Sequence, residues 1–337
     1  MNIVEFAKFK KMVGGGSGGG GGGEDTVAPG LYQAGAIARY NKQGAKALDG
    51  MMITPWAELL SNGIIHVDDG VVYSSLNKTN WENESNDYLA GDLIMPNDGS
   101  IIKVGDEINE SYEHRIAFEG CNKLTGITIP DSVISICFEA FYECAELTTV
   151  TFGEYSHLET ILNFAFYQCP KLESIDIPDF TKEIGSQAFN GCVSLTRVTL
   201  PESLTRISSG AFCACKSLTS IVIPNSVKNN IWQDVFGVCT NLVSATIPVS
   251  MTQFHYGLFR DCPKLTTFNY EGTTSQWKAI TKDDGWNDNS GEYIAYCVDG
   301  AVAKDGTVIE NGGGGLSEEE KSKIADEMLN EALGGEY

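Results

Sequence analysis

From Phe118 to Tyr270 the apolar and polar positions repeat in blocks of about 23 residues. Each block has a Phe, two residues, a Cys, two residues and a Leu, followed by a stretch in which apolar and polar residues alternate. The copies begin at Phe118/Cys121/Leu124, Phe141/Cys144/Leu147, Phe166/Cys169/Leu172 and Phe189/Cys192/Leu195. They continue at Phe212/Cys215/Leu218, Phe236/Cys239/Leu242 and Phe259/Cys262/Leu265. Alternation after each Leu predicts one short strand per block. Its inward pairs are Ile127/Ile129, Val150/Phe152, Ile175/Ile177, Val198/Leu200, Ile221/Ile223, Ala245/Ile247 and Phe268/Tyr270. Pro130, Pro178, Pro201, Pro224 and Pro248 stop the strands, because proline cannot donate to a ladder. A second apolar pair, as in Val133/Ile136, Leu158/Ile161, Leu204/Ile207 and Met251/Phe254, predicts another wall.

The cysteines are 23, 25, 23, 23, 24 and 23 residues apart. A period in that range, repeated this often, predicts a leucine-rich-repeat solenoid. Asp92-Leu-Ile-Met-Pro96 matches Thr125–Pro130 and supplies an eighth strand as an N-terminal cap. The predicted class is mainly β with short irregular or helical turns: about eight rungs, a small N-terminal α+β region and flexible helical ends. The 25-residue copy carries two extra residues around Glu154–His157 and has Gly153 in place of the proline. The 24-residue copy has one extra residue near Asn229 and Asn230. Insertions of this kind fall in edge loops.

The domain reading places a short helix at 1–13, a glycine-rich linker at 14–23, a small region at 24–90 and the capped solenoid at 91–300. A linker at 301–316 and an acidic helix at 317–337 follow. Within 24–90, Trp56–Leu60 reads as a brief helix, and Ile64–Val67 with Val71–Tyr73 as a hairpin around Asp68-Asp-Gly70. Asn77–Asp87 reads as a polar loop, and Asp106–Arg115 as an acidic insertion ahead of the first full repeat. The first 13 residues hold one acidic and three basic side chains, and 317–337 hold seven acidic and two basic. These helices of opposite charge could pair with each other, with another subunit or with a larger assembly.

Charge narrows the class of partner. With 45 acidic against 23 basic residues the net charge is −22, a field that repels phosphate backbones and anionic headgroups. Nucleic acid is therefore excluded as a partner. Membrane insertion is excluded too, since no apolar run approaches the roughly 20 residues a membrane helix needs. The first residues do not have the order of a secretory signal, because their lysines interrupt and follow the apolar positions. That expectation leaves the location open between a virion and a bacterial cell surface.

The seven in-phase cysteines, of ten in all, read as free, buried core fillers. Metal and cofactor are not expected: there is no paired Cys motif, and His66, His114, His157 and His255 lack ligand spacing. Asp283–Glu292 has oxygen-bearing residues at 287 and 289 and Gly291, but lacks the twelve-residue calcium pattern and reads as a polar hairpin in the cap. No nucleophile elbow or phosphate loop is present, so the chain is expected not to be an enzyme. An activity hidden in 24–90 is the alternative that this absence of a catalytic constellation opposes.

The phrase A-F-x-x-C-x-x-L-x-x-I-x-I-P-x-S-V, as at Ala140–Ile161 and Ala211–Val227, resembles the leucine-rich repeats of BspA-like proteins of the Treponema pallidum type. Tyr270–Trp277 through Trp286 to Gly300 is similar to the C-terminal cap of that family. The resemblance implies an adhesin or host-matrix binder. The helix-and-glycine ends resemble the attachment ends of tail-associated proteins of gut bacteriophages. Function is thus expected to be recognition or adhesion, with a protein or glycan on a cell surface as partner, phage tail-associated or on a bacterial surface.

The expected binding surface is the outward face of the strands: Thr128, Thr149, Thr151, Ser174, Asp176, Arg197, Thr199, Ser220, Thr246 and Asn269. These side chains form a ladder of small hydroxyls around one Asp and one Arg. Eight rungs about 4.8 Å apart would span roughly 35–40 Å. The pattern puts no aromatic ridge on this face, which opposes tight stacking of sugars.

Overall fold

The computed structural model describes residues 91–105 and 117–309 and, before them, six strands between Val27 and Ser74 with Trp56, Leu60 and Gly70. The segments expected as helices at 1–13 and 317–337, the glycine-rich linker at 14–23, the 77–87 loop and the acidic insertion at 106–115 lie outside these residues.

The chain coils into a solenoid with two strand-bearing walls. The first wall holds Gly91–Ile94, Leu124–Ile129, Thr149–Phe152, Ser174–Asp176, Arg197–Thr199, Ser220–Val222, Ser244–Ile247 and Thr267–Tyr270, hereafter rungs 1 to 8. Neighbours run parallel, and like phases of the repeat pair: Val150 with Ile127, Ile175 with Val198, Ala245 with Phe268. The hydrogen-bonded ladder is interrupted between rungs 5 and 6. The second wall is built from two-residue strands such as Ser135–Ile136, Thr160–Ile161, Glu183–Ile184 and Arg206–Ile207. Rung 6 contributes to it a single bridge, Ile207 to Ile231. That is the copy with the extra residue, and Asn229 there turns its side chain to the next rung, accepting from the Thr252 amide at 2.8 Å.

Inside, each position of the repeat becomes a column. The Phe rings from Phe118 to Phe259 stack face to face along the axis, with centroids from 5.0 to 5.8 Å apart. All seven are fully buried, and a buried Phe contributes about 2–3 kcal/mol of transfer free energy. Beside them runs the column of thiols. Cys144 donates to the Phe118 carbonyl and Cys169 to that of Phe141, both at 3.1 Å. Cys192, Cys215 and Cys239 do the same at 3.3 Å, and Cys262 at 3.2 Å, always to the Phe one rung earlier. All ten cysteines are free. The seven in-phase thiols fill the core as expected, and six of them also bond one rung to the next.

The turn between Phe and Cys has a fixed backbone shape. The residue before each of the seven cysteines is left-handed, with φ from 54° to 79°: Gly120, Glu143, Gln168, Gly191, Ala214, Val238 and Asp261. Two of the seven are glycine, which takes this conformation without strain.

Both ends of the solenoid are covered by strands. The hairpin Ile65–Asp68/Val71–Ser74 pairs with Lys103–Val104 in the second wall, and Met51–Ile53 pairs with rung 1 through Ile53 and Asp92. Trp56, Ile65 and Val72 lie in the same core as the rungs, so strand pairing and core both run across the boundary expected at residue 90. At the other end Thr273 caps a short helix, Thr274–Ala279, through a capping box with Gln276. Buried Trp277 and Trp286 pack on Phe268 of the last rung, with centroids 5.2 and 6.0 Å away. The sheet continues past residue 300, where a linker was expected. Gly300–Ala303 and Val308–Ile309 add two antiparallel strands because Ala301 and Val302 are buried.

Asp283–Glu292 is not a hairpin. Its backbone accepts from Gly257, Phe259 and Asp261, as each turn accepts from the turn before it. Asn289, with φ 55°, stands at the phase of Asp261, and Ser290 at the phase of Cys262. The stretch is a further, degenerate copy of the turn.

Candidate functional site

The outward face of the first wall follows from the period-2 alternation: with one side chain buried, its neighbours point to solvent. Thr149, Thr151, Asp176, Arg197, Thr199 and Ser220 are exposed, and Thr128, Ser174, Thr246 and Asn269 half-buried. Register places Thr151 beside Thr128, Thr149 beside Ser174, Arg197 beside Ser174, and Thr246 beside Asn269. The Thr128 and Thr151 hydroxyls share a hydrogen bond of 2.9 Å.

The charged centre of the face is a triangle on rungs 4 and 5. Thr199 donates to Asp176 Oδ1 at 2.7 Å, and Arg197 donates to Asp176 Oδ2 at 2.9 Å and to the Thr199 hydroxyl at 3.2 Å. The Thr199 hydroxyl above all holds the Asp176 carboxyl below the usual carboxylate range, partial burial opposes it, and the Arg197 guanidinium adds to the lowering. The side chains of Asp176 and Arg197 are 63% and 61% exposed, so the pair adds little to folding and remains open to a partner. Ser220, Thr246 and Asn269 lie beyond the break between rungs 5 and 6 and are not joined to this triangle. Val222 stands among them as an exposed apolar residue.

Aromatic side chains adjoin the face, although the alternation places none on it. The extra residues of the 25-residue copy build a loop that carries Tyr155 and His157, and the next rung's loop carries Phe180. Tyr155 is 67% and Phe180 57% exposed. His157 stacks on Phe180 at 5.7 Å. With Thr149, Ser174, Asp176 and Asp179 these loops enclose a groove of about 850 Å³ beside rungs 3 and 4. Gly153 is required at the start of the loop because the Asp131 carboxylate, which accepts the Tyr155 amide at 2.9 Å, fills the space of a Cβ. Phe180 takes the place of Ser132, Ser203 and Ser226, whose hydroxyls donate to carbonyls of the preceding rung. Those two departures from the repeat are the signal in the sequence that marks the groove.

The remaining histidines are placed apart. His255 Nδ1 lies 3.2 Å from Asp283 Oδ2 and its ring stacks on Trp232; His66 is in the N-terminal hairpin; His114 is outside the described residues. Among the described residues no three His, Cys, Asp or Glu side chains gather where they could hold a metal. No described helix is long and apolar enough to cross a membrane.

Parallel rungs with a Phe column, a Leu column and an open strand face define a leucine-rich-repeat solenoid. Residues 114–229 and 159–280 match the family model of the BspA type leucine rich repeat region, with six copies. The repeat region of this chain belongs to that family. A leucine-rich repeat protein of Treponema pallidum is similar in structure at 23% identity, covering 71% of this chain and 82% of its own, with a TM-score of 0.35. One from Bacteroides ovatus is 20% identical over 68% of this chain and 77% of its own, with a TM-score of 0.33. One from Eubacterium ventriosum is 16% identical over 70% and 82%, with a TM-score of 0.35. Comparison with curated proteins gave no match.

Proposed function

We propose that this chain is a non-enzymatic recognition protein whose exposed strand face binds a partner displayed on a cell surface. The observation that carries the reading is the Asp176–Arg197–Thr199 triangle. It is a charged, hydrogen-bonded group held on rigid strands, exposed by more than half, and of little use to folding. The hydroxyls of Thr128, Thr149, Thr151 and Ser174 extend a polar platform on one side of it. The in-phase cysteine thiols and the half-buried Ser203 and Ser226 hydroxyls, by contrast, bond from rung to rung.

The test is a variant with alanine at Thr151, Asp176, Arg197 and Thr199, compared with the parent protein for binding of labelled full chain to panels of bacterial and epithelial cells. All four side chains project from the core, so folding is retained. Binding that survives the quadruple substitution ends the proposal.

A further inference from the structure

The groove beside rungs 3 and 4 has a composition that selects its occupant. Its lining includes the carboxylates of Glu154, Asp176 and Asp179 and no Lys or Arg. Asp176 is engaged by Thr199 and Arg197. Glu154 and Asp179 are exposed and make no hydrogen bond or ion pair among the described residues. Ionised carboxylates only accept hydrogen bonds. The complementary group therefore offers donors only and carries positive charge. The rings of Tyr155 and Phe180 flank the same space, Phe180 with His157 stacked on one face and more than half of each side chain exposed. A planar cation satisfies both requirements at once, since guanidinium stacks on aromatic faces and presents paired donors to carboxylates.

We propose that this groove captures an arginine side chain presented by a protein partner, held between the Tyr155 and Phe180 rings and the Glu154 and Asp179 carboxylates. The proposal rests on the recognition reading and adds the partner's chemistry to it. It fits the whole-chain charge of −22, which draws cationic surfaces toward the protein. It also repeats what the molecule already does one rung away, where Arg197 lies against Asp176 at 2.9 Å. A neutral sugar is the weaker fit. Its hydroxyls would leave two carboxylates without a counter-charge.

The experiment uses the full chain and two capped pentapeptides that differ only in a central arginine or its uncharged isostere citrulline, with affinity read by titration calorimetry. The arginine peptide is expected to bind at least about tenfold more tightly than the citrulline peptide, the combined worth of an exposed cation–π contact and charge-assisted hydrogen bonds to the carboxylates. Raising salt from about 50 to about 300 mM should weaken it several-fold. Tyr155→Ala combined with Phe180→Ala should shrink the difference between peptides several-fold, and Glu154→Gln with Asp179→Asn should shrink both that difference and the salt dependence. Val298→Ala, in the exposed turn of the C-terminal cap, should change nothing. Equal binding of the two peptides, no binding of the arginine peptide at millimolar concentration, or displacement of it by neutral oligosaccharides at equal concentration would each overturn the proposal. The substituted side chains are exposed, and an unchanged thermal midpoint confirms that the fold is intact. Since no cell is involved, failure here leaves the face reading standing if the quadruple alanine variant has lost cell binding.

Discussion

The thiol of Cys169 donates to the carbonyl oxygen of Phe141 one rung earlier, at 3.1 Å, while both residues are fully buried. A protonated sulfur is required for that bond. Burial pushes the Cys121 and Cys262 thiols up to about 12 and raises those of Cys169, Cys192, Cys215 and Cys239 well above the ordinary value. In the unfolded chain a thiol titrates near 8.5. Above that pH the unfolded state releases protons that the folded state keeps, so stability is flat below about pH 8 and falls as pH rises toward 12. Each buried thiol contributes a slope of about 1.4 kcal/mol per pH unit in that window. Urea denaturation at a series of pH values between 7 and 10 measures it, before tyrosine ionisation intervenes. A flat profile through pH 9.5 would contradict the assignment.

Thiol reactivity gives an independent reading of the same column. Cys213 is half-buried and the other nine cysteines are buried. In the native protein one thiol is expected to react with Ellman's reagent on a time scale of minutes, and all ten after unfolding. A Cys213→Ser variant should leave the native protein essentially unreactive.

Val238 has φ 60°, in the left-handed region that penalises β-branched side chains. It is held there because its amide donates to the Arg260 carbonyl at 2.7 Å. Val238→Asn should keep the turn and stabilise the protein by roughly 1 kcal/mol, read as a higher denaturation midpoint with an unchanged slope.

Ser290 occupies the cysteine phase of the degenerate last turn, and its buried hydroxyl has no hydrogen-bond partner among the described residues. Ser290→Ala is expected to be neutral or to stabilise by about 1 kcal/mol, since it removes an unsatisfied polar group. A loss of more than that in calorimetric stability would mean the hydroxyl is satisfied.

Asp176→Asn separates recognition from folding. The pair with Arg197 is exposed, so the stability change should stay below about 1 kcal/mol. Partner binding through the face should fall several-fold, measured on the same cells as the quadruple variant.

The repeat was legible because one spacing recurs seven times, and averaging over the copies brings out what they share: the Phe, Cys and Leu columns and the alternating strand. The groove was not legible for the same reason. It is made by departures from the average, Phe180 in a serine position and two extra residues around Tyr155, which such averaging discards. Gly120 and Gly191 take the left-handed turn without strain. Nothing about the letters Glu143 or Val238 at the same phase shows that they share it, because the conformation is imposed by hydrogen bonds from neighbouring rungs. The boundary expected at residue 90 rested on where the match to the repeat begins, at Asp92–Pro96. That match does not record that Ile53 pairs with Asp92 and Val72 with Val104.

The register bonds of Val150, Ile175 and Ala245 reach only the rung before or after, about 23 to 25 residues away. A chain assembled from such short reaches does not have to wait for its own far end. As each rung leaves the ribosome, the Phe carbonyl of the rung already folded stands ready for the incoming thiol. The solenoid can therefore grow during synthesis from its N-terminal strands toward Trp277 and Trp286, which then seal it.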